Sequence, residues 1–267
     1  MCDDCTSEAD VVDAGRERIY EFLAAILTNP DAGTWGRVTD PEEQRRDVAT
    51  VDALRAAAAS RDVGLENGDA TSSDLDLRAL VVELCQPLGH LKADCDRFFV
   101  RARRNSHSPL EMDHKTAWLK RRPERAVEEL NREYEDAACP EHENLPTRPD
   151  HASRELEFMA WLIAQARFQR RMACLGAASP EAVRSCDLAQ RHFFGHHLAG
   201  WLPELAAQLR EFAGGGCLEQ LGRFLAAWIA TERRCLDVEP RFAEADESMQ
   251  TTETAPESTR SRQVVCA

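Results

Sequence analysis

Several residue groups in this chain have types and spacings that could do chemistry. Cys2-x-x-Cys5 has zinc-like spacing, Cys139-x-x-His142 adds a second Cys/His pair, and His192 and His196 stand i, i+4 on one helix face. A structural zinc site needs four converging ligands. The chain has no second C-x-x-C and no H-E-x-x-H in which a glutamate could act as base, and His192 and His196 read as helix-surface or groove residues. The expectation is no bound metal and no cofactor. Gly214-Gly215-Gly216 lacks the Lys-Ser/Thr ending of a phosphate loop and reads as a helix break. No G-x-S-x-G elbow accompanies the cysteines and histidines, so nothing demands turnover, and the chain reads as a non-enzyme.

The junction RPDHASRELEFMAWL (148–162) is the remaining candidate. Asp150, just after Pro149, sits where a helix N-cap belongs, and its carboxylate can accept bonds from free backbone N–H groups. His151 follows in the first turn, where it can face a groove. The stripe behind it, Leu156, Met159, Ile163 and Ala166, is core.

The elements that must hold these residues are helices from end to end. Ile19, Phe22, Leu23, Ile26 and Leu27 make one apolar face in a helix over 8–28. Asp40-Pro41-Glu42-Glu43 is a helix start with a capping side chain, a proline and a glutamate three residues after the cap. Residues 61–74 read as a polar loop. Pro87 and Gly89 break or kink the helical stretch 75–102. Residues 103–122 read as irregular and 139–149 as a loop. Further helices begin at Pro123, after Pro149 and at Ser179-Pro180, with Phe193, Phe194, His197, Leu198 and Trp201 on one apolar face and Pro203 bending or restarting the chain. A last helix over 217–236 presents Leu218, Leu221, Leu225, Trp228 and Ile229. With no alternating strand pattern, the fold class is all-α, one bundle of about seven to nine helices. Residues 1–236 form one helical domain. Residues 237–267, with seven acidic residues and three arginines among Ser, Thr and Gln, read as an acidic disordered tail.

The net charge is −14 over 267 residues, which argues against general nucleic-acid binding and favours cationic partners. Only Lys92, Lys115 and Lys120 are lysines among 33 basic residues. The longest apolar run, FLAAWIA (224–230), is far short of the roughly 20 residues of a membrane span, and MCDDCTSEAD lacks the pattern of a secretory signal. A cytoplasmic location follows as the expectation. The ten scattered cysteines read mostly as small buried side chains.

Four segments in order carry a resemblance. Pro149, Asp150, His151, Glu155, Leu156, Phe158 and Met159 match a Glu-x-Pro-Asp-His loop followed by a Glu-Leu-x-Phe-Met helix. RERIYEFLAAILTNP (16–30) looks like a first helix, and DCDRFFV (94–100) with SPLEMDH (108–114) resembles an Asp-Arg stretch and a Ser-Pro-Tyr-Glu turn. FFGHHLAGWLPEL (193–205) matches a Phe…His-Leu…Trp-x-Pro helix through His197, Leu198, Trp201 and Pro203. Across about 16–236 the chain resembles the TorD/DmsD/NarJ-like cytoplasmic chaperones that mature molybdenum-containing redox enzymes. It departs from their pattern at Thr147 and Arg148, where the loop's glutamate is missing, and at Leu110, in place of the aromatic.

The resemblance implies a TorD-like bundle. It also implies a chaperone that binds the leader or N-terminal segment of an apo molybdopterin oxidoreductase catalytic subunit, holding it for cofactor insertion before assembly or twin-arginine export. The implied client-binding residues are Pro149, Asp150, His151, Glu111, His197 and Trp201, with Asp150 pairing a leader arginine through a charge-assisted bond. Neither nucleic acid nor membrane insertion is implied, and the state is a monomer or a domain-swapped dimer. The alternative from the residues alone is a helical metal- or nucleotide-binding regulator using the Cys/His set.

Overall fold

The computed structural model describes residues 8–59, 74–105, 108–115, 123–140, 145–146, 148–212 and 216–238. Cys2, Cys5, His142, Thr147, Gly214, Gly215, nearly all of the 61–74 loop and the acidic tail from residue 239 lie outside the described residues. The described chain is all α-helical. Its helices are α1 (Glu8–Ile26), α2 (Trp35–Thr39), α3 (Pro41–Ala59), α4 (Arg78–Leu84), α5 (Leu88–Asn105), α6 (Glu111–His114), α7 (Pro123–Asp136), α8 (Ala152–Cys174), α9 (Pro180–Phe193), α10 (Leu202–Phe212) and α11 (Cys217–Leu236). A 3₁₀ turn at Pro30–Ala32 and a π-turn at Phe194–Leu198 complete it. Two of the eleven, α2 and α6, are five and four residues long, too short for a 3.6-residue period to show. Without them nine helices remain, inside the expected range.

The start and stop signals act as their chemistry requires. Asp40 Oδ1 accepts from Glu42 N (2.8 Å) and Glu43 N (3.0 Å), which fixes the start of α3. The Glu43 side chain does not reach back to the cap; it bonds Arg18 Nη2 at 2.7 Å. Ser179 Oγ accepts from Ala182 N and caps α9. Cys85–Pro87 separates α4 from α5 instead of kinking one helix. Residues 103–122, expected to be irregular, contain the end of α5 and all of α6.

Packing follows the apolar stripes. α1 lies along α8, α9 against α8, α3 against α1, α10 along α11 and α4 against α11. Ile19, Phe22, Leu23, Ile26 and Leu27 are buried, as are Leu156, Met159, Ile163 and Ala166 of α8 and Leu218, Leu221, Leu225, Trp228 and Ile229 of α11. Each leucine, isoleucine, phenylalanine and methionine among them contributes roughly 1.5–3 kcal/mol by leaving water. α10 and α11 meet at Gly222, where an added Cβ would lie 2.5 Å from the Ala206 carbonyl oxygen. The α1–α11 contact also buries charge. Arg16 donates through Nε and Nη2 to both Glu232 oxygens (2.9 and 2.8 Å), Arg16 Nη1 reaches Asp13 (2.7 Å), and the Tyr20 hydroxyl donates to Glu232 (2.9 Å). That saturation offsets the cost of taking the ions out of water.

Of the seven described cysteines only Cys95 and Cys217 are fully buried; Cys85, Cys174 and Cys235 are exposed, because they fall on outward helix faces or caps. Most of the described set is therefore not core, contrary to the sequence expectation. No described helix is long and apolar enough to cross a membrane.

Candidate functional site

The expected site residues come together where three segments meet: the strap Ser108–Lys115 around α6, the loop Arg148–His151 that enters α8, and the π-turn after α9. An antiparallel bridge joins Leu110 to His151. Glu111 N donates to Asp150 O and Ala152 N to Pro109 O, both at 2.8 Å. From α7, the Tyr134 hydroxyl donates to Pro149 O at 2.8 Å. The π-turn closes with Ala199 N on Phe194 O, and it buries Phe194, His197 and Leu198 together. π-turns inside helices are rare and concentrate at functional sites.

Asp150 is not the helix cap. The cap of α8 is His151, whose Nδ1 accepts from Ser153 N at 3.2 Å. The shift is one residue, because the chain turns into the helix only after His151, whose φ and ψ are −85° and 136°. Burial, reinforced by the Arg148 guanidinium, pushes the His151 imidazole down to about 4. The ring is therefore neutral at pH 7 and keeps the lone pair that the cap requires.

Asp150 is fully buried, and its two oxygens are held in a fork by Arg148 Nε (2.9 Å) and Nη2 (2.7 Å). The arginine on Asp150 is thus one from this chain, at a position where the sequence departs from the resembled loop. Pro149 and His151 are partly exposed, whereas Glu111, Trp201 and His197 are buried.

Glu111 and His197 form the centre. His197 Nδ1 lies 3.1 Å from Glu111 Oε1, and Nε2 lies 3.2 Å from Glu133 Oε1. A ring with both nitrogens facing carboxylates donates to both only as imidazolium. Burial disfavours that charge, but the bonds to Glu111 and Glu133 outweigh it and hold His197 above its ordinary value. Glu133 is held below the usual carboxylate range: its own burial is outweighed by the bond from His197. Lys115 Nζ reaches Glu111 Oε1 at 2.5 Å and donates to His196 O at 2.9 Å. His197 stacks on Phe193 with centroids 4.8 Å apart.

Trp201 is core and also a donor. Its Nε1 bonds Glu155 Oε2 at 3.0 Å, and its ring packs against His114 at 5.1 Å. Glu155 Oε1 is buried without a partner. Burial and the neighbouring Glu111 raise the Glu155 carboxyl well above the ordinary range.

The whole is a latch. Strap, loop, π-turn and α7 are pinned by carboxylates against an imidazolium, an ammonium and a guanidinium. Sequence reasoning missed Glu133, Lys115 and His114, and gave Glu155 and Arg148 no role at the site. Lys115 had one available signal, being one of only three lysines. His192 and His196 are exposed with rings 4.3 Å apart, and among the described residues no three His, Cys, Asp or Glu side chains converge as a metal site.

Comparison with known proteins adds the following. A family model described as nitrate reductase delta subunit matches residues 70–207, which span the whole latch. The chlorate reductase assembly chaperone protein of Ideonella dechloratans is 32% identical over 124 residues, covering 45% of this chain and 60% of the relative. The selenate reductase assembly chaperone protein of Thauera selenatis is 37% identical over 107 residues, covering 40% of this chain and 51% of the relative. The chain thus spans about half to three fifths of the length of these curated relatives. No solved structure gives a significant match.

Proposed function

This chain belongs to the nitrate reductase delta subunit family, the TorD/NarJ-like molybdoenzyme chaperones that its motifs resemble, and from that premise we propose that it is a non-catalytic maturation chaperone. Its client is the catalytic subunit of a molybdopterin oxidoreductase. The chain binds the leader or N-terminal segment of the apo-subunit in the cytoplasm and holds it for cofactor insertion, before assembly or twin-arginine export. The observation that carries this reading is that the matched span 70–207 encloses the entire latch, and that both relatives are named as assembly chaperones of reductases.

Pro149 and His151 stand at the accessible edge of the latch and touch the client. Glu111, His197 and Trp201 position them, and Asp150 joins the contact once Arg148 moves aside. Arg148, whose side chain is 53% exposed, occupies Asp150 in the free chain. A client arginine takes the same fork by displacing it, a like-for-like exchange of charge-assisted bonds. The chain's −14 charge draws a cationic segment toward it.

The test is capture from the native host with a tagged chain, the bound proteins being identified by mass spectrometry. A molybdopterin oxidoreductase catalytic subunit with its N-terminal segment intact is the expected product. Its absence while that enzyme is being made refutes the reading.

A further inference from the structure

The turn that enters α8 carries its own guanidinium. His151 N donates to Arg148 O at 3.3 Å, closing a β-turn with Pro149 and Asp150 at its two corners. Neighbouring segments fasten this turn: the Tyr134 hydroxyl donates to Pro149 O, Glu111 N to Asp150 O, and Ala152 N to Pro109 O. Every one of these bonds ends on a backbone carbonyl, and none uses the Arg148 side chain. Asp150 is thus fixed by the strap, by α7 and by the start of α8, whereas the guanidinium is held by Asp150 itself.

The two partners also differ in exposure. The Asp150 side chain is fully buried, and that of Arg148 is 53% exposed. The guanidinium lies on the solvent side of the carboxylate and can swing into water without breaking the turn. Its departure strands Asp150, because a buried carboxylate without its partner is much more costly than a paired one. Asp113 of the strap adds negative charge near the same guanidinium. A fixed carboxylate under a detachable cation calls for one guanidinium or another at all times. The fork also selects by shape: Nε on Oδ1 at 2.9 Å and Nη2 on Oδ2 at 2.7 Å are two coplanar donors, which an ammonium does not have.

We propose that Arg148 is a built-in pseudo-ligand: it closes the Asp150 fork in the free chain, competes there with the client's arginine, and retakes the fork as the client leaves. The inference rests on the chaperone reading and adds a regulation of that same site. The client's observed Kd is its intrinsic Kd divided by the fraction of chains in which Arg148 has left the fork, so an Arg148 that is out in about one chain in ten weakens the client about tenfold. Release is helped by the same tether, since a guanidinium two residues away is at high effective concentration whenever the client's lifts off.

The sign of one substitution separates this role from that of a brace. If the ion pair merely stiffened the loop, removing Arg148 would weaken client capture; for a pseudo-ligand it strengthens it. Tagged full-length chains are compared by capture in the native host. Arg148→Ala should recover at least threefold more of the reductase catalytic subunit than wild type, and Arg148→Ala/Asp150→Asn should lose the gain. Arg148→Lys keeps the charge, cannot make the fork, and should gain in the same direction; it carries the test if the alanine variant does not fold. Recovery equal to or below that of wild type overturns the pseudo-ligand and leaves the chaperone reading standing. No recovery by any of these chains removes the chaperone reading and the pseudo-ligand with it.

A second measurement needs no client. The purified chains are melted with increasing methylguanidinium chloride, methylammonium chloride being the control. Arg148→Ala should melt below wild type and show, relative to the double variant, a saturable gain of about 1 °C as methylguanidinium passes its Kd for the vacated fork. Wild type, whose fork is filled, should show no such gain. Absence of the gain in Arg148→Ala, or an equal gain in wild type or with methylammonium, overturns the proposal, because the fork would then not be an exchangeable guanidinium site.

Discussion

Replacing His151 by asparagine should make the protein less sensitive to acid. In the wild type the neutral imidazole caps α8 by accepting from Ser153 N, and burial with Arg148 pushes it down to about 4. In the unfolded chain the same ring titrates near its ordinary ~6.5. At pH 8 both states are neutral and there is no linkage. Below about 6.5 the unfolded chain takes up a proton that the folded chain refuses, so stability is lost as pH falls from about 6.5 toward 4. At pH 5 that gap amounts to about 1.36 kcal/mol times 1.5, or roughly 2 kcal/mol. For a domain of this size it lowers Tm by about 4–8 °C. Asparagine is among the best N-cap residues and does not titrate, so it keeps the cap and removes the proton. Thermal melts followed by circular dichroism at pH 8 and pH 5 give the answer as a difference. His197 and the carboxylates titrate in both proteins and cancel. The Tm loss on acidification should be about 4–8 °C smaller in His151→Asn. Equal losses would show that His151 is not held neutral by its site, and the assignment of the cap would fail.

Three further outcomes follow from the same geometry. Glu111→Ala leaves Lys115 without its carboxylate and His197 with Glu133 alone at the centre of the latch; the loss should be about 2–3 kcal/mol, read as a lower Tm. Because His197 is held above its ordinary value, its contribution is complete below about pH 6.5 and fades as pH rises through the folded value, so this deficit should shrink toward alkaline pH. Glu155→Gln keeps the side-chain volume and an acceptor for Trp201 Nε1 and should cost no more than about 1 kcal/mol, while Glu155→Ala, which leaves a cavity and an unpaired indole N–H, should cost about 2–4 kcal/mol; urea unfolding separates them, and equal costs would refute the role of that acceptor. Gly222→Ala should lower the urea midpoint by the equivalent of about 1–3 kcal/mol at unchanged m, because the new Cβ meets the Ala206 carbonyl oxygen of α10 and helix backbones cannot yield cheaply.

The sequence carried the architecture because apolar periodicity is a direct imprint of burial. The stripes of α1, α8 and α11 were readable residue by residue, and so were the Asp40 and Ser179 caps. α2 and α6 were not, being shorter than two helical turns. The site was legible as a gathering of residues but not as an arrangement. Pro149, Asp150, His151, Glu111, His197 and Trp201 do meet, yet no local pattern says that Asp150 is sealed by Arg148 two residues back, or that the cap passes to His151. Those outcomes depend on where α6 and the π-turn dock. The same holds for Glu133 and Lys115, whose roles come from distant segments, and for Arg16, a charged residue inside an apolar stripe whose partner Glu232 is 216 residues away. Non-local pairing of charges leaves no periodic trace in the chain.

The central claim is that this chain acts on a reductase subunit before its cofactor is in place. The direct test is the molybdenum and pterin content of the captured client, purified from the native host with and without the gene for this chain. The account predicts that without the chain the subunit is made but lacks cofactor, and that the tagged wild-type chain restores loading. Full cofactor content in its absence would contradict the account.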